Sequence, residues 1–73
     1  MTVEAIELGA KVIFEDGVMA ERISANLYSC LFDNPIPSGM VLFASLIEDD
    51  LCYYLVPKDT HCKSYKRNGR KKF

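Results

Sequence analysis

What this 73-residue chain lacks narrows its function more than what it carries. Its longest apolar stretch is MVLFASLI, residues 40–47, well short of the roughly 20 residues a helix needs to cross a bilayer. The start, MTVEAIELGAK, has no basic segment followed by an apolar stretch and a small-residue cleavage site, so it does not read as a secretory signal. Cys30, Cys52 and Cys62 are an odd number at unremarkable spacing, which is not the paired framework of small secreted domains. A cytoplasmic protein is expected, with Cys30 and Cys52 as small apolar core residues. His61 and Cys62 are the sole histidine–cysteine neighbours, and no second pair stands nearby to complete a zinc site. Adjacent residues in an extended chain point to opposite sides, so they do not form a catalytic pair either. No nucleotide-binding signature is present, and no acid and base sit together on well-placed elements. A domain this small also has little room for a pocket. The chain is expected to be no enzyme and to need neither cofactor nor metal.

Basic residues are scarce in the first 57 positions and acidic ones in the last 16. Residues 1–57 hold nine acids against Lys11 and Arg22, a net of −7, whereas residues 58–73 hold seven bases against Asp59, a net of +6. The overall charge of −1 therefore conceals a bipolar molecule.

About half the residues are apolar and a quarter charged, an ordinary globular balance for one small domain. Chains of this size bury only about 60% of their unfolded surface, so the core is thin. From Ile6 to Phe14 every second residue is apolar, the period of a half-buried strand. Gly9 within it marks a bulge or a break. EDG at 15–17 turns the chain, with Asp16 as a helix N-cap. Met19, Ile23, Leu27, Cys30 and Leu31 then recur at three- and four-residue intervals, which predicts a helix over 18–32. Pro35 and Pro37 end it. MVLFASLI and LCYYLVP, separated by an acidic turn with Asp49 at its tip, read as a hairpin. Both faces of that hairpin are apolar and both need cover. Either the N-terminal strand folds across the second face, or the tyrosines lie on a solvated surface, or that face binds a partner. Phe43, Tyr53 and Tyr54, of types enriched at interfaces, are the partner-binding candidates, with Glu7 beside them. The expected fold is a small α+β domain over residues 1–57: N-terminal strand or strands, one helix packed on a β-sheet, and a C-terminal hairpin. A basic, flexible tail over 58–73 follows it.

The tail can be drawn as a hairpin on Asn68-Gly69. Its cross-strand neighbours would then be cations facing cations, and disorder in isolation is the expectation. Lys63, Lys66, Arg67, Arg70, Lys71 and Lys72 are the candidate phosphate contacts, with Tyr65 placed to stack on a base. Free-standing nucleic-acid binding is opposed by the acidic body a few residues away. An adaptor satisfies both charges: the body docks on a larger protein, and the tail reaches nucleic acid, RNA before DNA, that the protein holds.

A β-strand, one helix, a hairpin and the basic end KRNGRKKF in a chain of 73 residues resemble the small phage-encoded factors that bind host RNA polymerase and alter initiation and termination, antitermination factors among them. That resemblance is one of length and layout. It implies a non-catalytic transcription regulator that docks on host RNA polymerase, beside an elongation factor, with no membrane or small-molecule substrate involved. Apart from it, a direct nucleic-acid-binding protein and a small structural or dimerising subunit are the competing readings.

Overall fold

The computed structural model describes residues 1–66. Along them run a 3-10 turn (Val3–Ala5), β1 (Lys11–Ile13), β2 (Met19–Arg22), helix α1 (Ala25–Phe32), β3 (Met40–Ile47), β4 (Asp50–Pro57) and β5 (Ser64–Lys66). The strands form one antiparallel sheet in the order β4-β3-β2-β1-β5. With α1 packed on it, the chain is the α+β fold expected from its sequence.

The β3–β4 hairpin is the longest pairing, in continuous register from Met40↔Pro57 to Ile47↔Asp50. Its turn consists of Glu48 and Asp49, at φ 50° and 70°. Positive φ at both central residues is the type I′ requirement, and that turn's twist matches the strands it joins.

Residues 18–24 depart from expectation. Instead of capping a helix, Asp16 accepts a hydrogen bond from the Val18 N–H through Oδ1, inside a three-residue hairpin loop. Phe14 N–H bonds Val18 O, Gly17 N–H bonds Phe14 O, and Gly17 has φ 91°, the geometry of a turn closed by a left-handed glycine. Met19–Arg22 is consequently a strand, and the helix begins at Ala25. Ser24 caps it, its Oγ accepting from the Asn26 N–H, and Asp33 closes it in the left-handed region at φ 56°. Within α1 no residue is buried. Eight residues are too few for a helix to stand alone in water; within α1 Tyr28 packs on Phe32 at 4.7 Å, and Phe32, edge-on to Tyr53 at 6.3 Å, ties the helix to β4.

The expected strand over 6–14 shrinks to β1 because Gly9, at φ 84°, makes a bulge. Gly9 N–H bonds Arg22 O while Arg22 N–H bonds Ala10 O, the pairing of a glycine bulge. Leu8 is thereby turned outward, 57% exposed, while Ile6, Ala10 and Val12 stay buried.

The sheet is covered on its inner face and over part of its outer face. On the inner face Val12, Ala20, Val41 and Phe43 meet Val3, Ile6, Ala10 and Cys62, with Phe14, Tyr54 and Val56 packed around them. Phe14 stands edge-on to Phe43 at 5.3 Å. The N-terminal segment therefore does cover the second hairpin face, as a 3-10 turn and not as a strand. Arg22 fastens it: the guanidinium donates to the carbonyls of Glu4 and Ile6. The outer face carries α1 above Leu42, Tyr53 and Leu55.

Part of the expected tail belongs to this fold. Val3 N–H bonds Thr60 O, Glu4 N–H bonds Lys58 O, and Thr2 bridges His61. Cys62 is buried, with its thiol 3.6 Å from Met1 O. Ser64–Lys66 pairs with β1. Residues 58–66 are thus folded on the sheet, because two short segments that cross the same end of it satisfy each other's backbone groups. The boundary after Pro57 does not separate body from tail, and the hairpin drawn on Asn68-Gly69 falls outside the described residues.

Candidate protein and nucleic-acid interface

Between α1 and β5 the outer face is open. Cross-strand register sets two rows of side chains there. One row runs Lys66, Lys11, Glu21, Ala44, Tyr53, from the pairs Lys11↔Lys66, Lys11↔Glu21, Glu21↔Ala44 and Ala44↔Tyr53. The next runs Ser64, Ile13, Met19, Leu46, Leu51, where Met19 faces Leu46 by extension of the β2–β3 register. Ser45 secures that extension, its buried hydroxyl donating to Met19 O at 2.6 Å. Met19, Leu46 and Leu51 are 53%, 68% and 56% exposed, so an apolar row lies on the surface beside a charged one.

Two hollows adjoin on this face. One of about 250 Å³ is lined by Lys11, Ile13, Met19, Ser64, Tyr65 and Lys66. The other, of about 350 Å³, is lined by Lys11, Met19, Ala20, Glu21, Ala44 and Leu46. At the first, two lysines stand directly opposite each other across the ladder, an arrangement that costs stability and that an anion between them would relieve. Its floor, Ile13 and Met19, is apolar. An anion bearing a flat apolar body, such as a nucleotide, matches both properties.

The expected site residues divide. Lys66 lies in the hollow opposite Lys11. Lys63 is exposed, its N–H bonding Ile13 O. Tyr65 sits opposite Val12, on the other side of the strand from Lys66, and borders the hollow at the sheet edge. A tyrosine and a lysine adjacent in a strand point to opposite faces, so the two do not grip one nucleotide from one side. Arg67, Arg70, Lys71 and Lys72 fall outside the described residues. Of the partner candidates, Phe43 is wholly buried and is core. Tyr54 is half-buried against the core, and Tyr53 is half-buried against Phe32. Glu7 is exposed where the chain turns into the Gly9 bulge. The cysteine assignment also changes: Cys62 is core and Cys30 is exposed. His61 and Cys62 point apart, one exposed and one buried.

Lys11, Met19, Leu46 and Leu51 are site residues that the sequence does not announce. Lys11 shows there only as a polar spacer in an apolar alternation, and Lys66 becomes its neighbour only through a pairing 55 positions away. Among the described residues no group of three or more His, Cys, Asp or Glu could hold a metal ion. No helix among them is long and apolar enough to cross a membrane. Compared with protein-family models, with curated proteins and with solved structures, the chain matches none.

Proposed function

We propose that the protein is a non-catalytic adaptor. It docks on a larger nucleic-acid machine in the host cytoplasm and applies its cationic edge to the nucleic acid that machine holds. The observation that carries this reading is the Lys11–Lys66 pair over an apolar floor, from which the chain runs directly on into Arg67, Arg70, Lys71 and Lys72. The exposed row of Met19 and Leu46 offers a protein an apolar surface next to that edge. The resemblance in length and layout makes RNA polymerase the machine and transcription the process modulated, by inhibition of initiation or by antitermination.

The acidic body remains the reason for a partner. It opposes the approach of phosphates to the edge, and at physiological salt the Debye length of about 8 Å screens that opposition only in part. Docking holds the edge at a high local concentration near the nucleic acid, so weak contacts become occupied. The test is a reconstituted transcription reaction with purified bacterial RNA polymerase. The protein should bind polymerase and shift initiation or readthrough of a terminator. Lys11→Glu combined with Lys66→Glu should bind polymerase yet lose the effect. No binding to polymerase discards the transcriptional reading, and full activity of the double variant discards the role of the edge.

A further inference from the structure

β4 is eight residues long and is an edge strand. The two-residue turn makes Ile47↔Asp50 a hydrogen-bonded pair, and bonded pairs alternate along an antiparallel ladder. Asp50, Cys52, Tyr54 and Val56 therefore address β3, while Leu51, Tyr53 and Leu55 direct their N–H and C=O groups outward. Among the described residues no backbone group meets them. Pro57, next in the outward set, has no N–H to offer. A long edge of this kind is a template for another strand.

We infer that β4 pairs antiparallel with β4 of a second copy, about a two-fold axis through Tyr53 and normal to the sheet. In that register Tyr53 faces Tyr53 of the second copy and Leu51 faces Leu55, so all outward N–H and C=O groups of these three residues are satisfied in both copies. Shifting by one alternation to place Leu51 opposite Pro57 loses a donor. Charge selects the same register. Asp50, at the foot of the hairpin tip, stands opposite Val56 of the second copy and diagonal to its Lys58 on the same face, within reach of a lysine side chain, so each end of the pairing brings opposite charges together. Within one copy Asp50 and Lys58 stand at opposite ends of the strand, roughly 26 Å apart at about 3.3 Å per residue, and cannot pair. The axis also leaves both α1 helices on one face. Each packs on β3, about one and a half strand spacings or 7 Å from the axis, which leaves room between the helices for the rings of Phe32 and Tyr53. Phe32, 47% exposed in one copy, gains cover there. The product is a continuous ten-stranded sheet. This pairing is independent of the regulatory reading.

Sedimentation equilibrium of the full chain tests it. The mass should rise with concentration from 8.3 kDa to twice that value. Leu51→Pro removes an outward N–H without touching the β3 ladder, so it should give a monomer with an unchanged circular dichroism spectrum. Lys58→Glu should raise the dimer dissociation constant about tenfold, since two tip pairs become repulsive at once. Adding Asp50→Lys in the same chain should restore it, and this pair of variants decides the matter even if Leu51→Pro fails to fold. A monomer throughout the concentration series overturns the inference. So does a dimer indifferent to Leu51→Pro, or a charge reversal that the second substitution does not rescue.

Discussion

Replacing Lys66 by glutamate should make the protein more stable and less able to hold nucleic acid, an outcome of opposite signs. Lys66 faces Lys11 directly across the β1–β5 ladder. Like charges in that position destabilise an antiparallel pair, and opposite charges stabilise it by about 0.2–1 kcal/mol. Glu21, on the other side of Lys11, offsets part of the repulsion, and both lysines are exposed, so water screens the rest. The net gain for Lys66→Glu is therefore about 0.5–1 kcal/mol, which in a domain of this size raises Tm by roughly 2–8 °C. Salt separates the electrostatic cause from other causes: it should stabilise the wild type by screening repulsion and weaken the variant by screening attraction. Thermal unfolding followed by circular dichroism at low and high salt reads both effects. The same substitution should lower affinity for single-stranded RNA and reduce the logarithmic salt slope by about 0.7 for each phosphate that is no longer neutralised. A variant less stable than the wild type at low salt would refute the cross-strand reasoning, and an unchanged salt slope would refute the assignment of Lys66 to phosphate.

Phe43→Ala should cost about 3–5 kcal/mol, a large share of the roughly 4–11 kcal/mol expected of a domain this long; a loss under 1 kcal/mol in urea unfolding would return Phe43 to the surface. Arg22→Ala removes both guanidinium bonds to the N-terminal carbonyls and should cost about 2–3 kcal/mol. Hydrogen exchange should then speed up at Val3 and Glu4 before it does in β3, and uniform acceleration would count against Arg22 as their tether. A chain ending at Lys66 should keep its cooperative transition. One ending at Cys62 should lose about 1–3 kcal/mol, because Lys63 N–H no longer bonds Ile13 O and β5 no longer covers β1. Equal stability of the two truncations would make β5 an ornament of the sheet.

The β3–β4 hairpin is legible in the sequence because its pairing is local: two apolar runs flank an acidic turn, and a two-residue loop leaves one register. The helix is half legible. Pro35 and Pro37 mark its end, but Met19, Ile23 and Leu27 happen to fall four residues apart, a helical spacing, while lying on a strand, a link and a helix. β2 carries its inward side on Ala20 and Arg22, neither of which advertises a strand. Arg22 faces inward because the carbonyls of the N-terminal turn receive its guanidinium, a partnership across 16 and 18 residues. The same non-locality hides the site. Three residues, Ser-Tyr-Lys, in a run of cations look like tail, and they become β5 only because β1 has an edge to fill. The apolar surplus of the hairpin does signal a need for cover, yet which aromatic is core and which is surface depends on where the N-terminal segment crosses.

The central claim is that the cationic edge meets nucleic acid when the body is docked, and a photo-crosslinking amino acid at position 66 tests it most directly. In a transcription complex containing RNA polymerase and nascent RNA, at physiological salt, position 66 should crosslink to the RNA, and Lys11→Glu should diminish the yield. With free RNA at the same concentration the yield should be far lower and should vanish as salt is raised. Crosslinks to protein alone in the complex, or an equal yield with free RNA, would contradict the account.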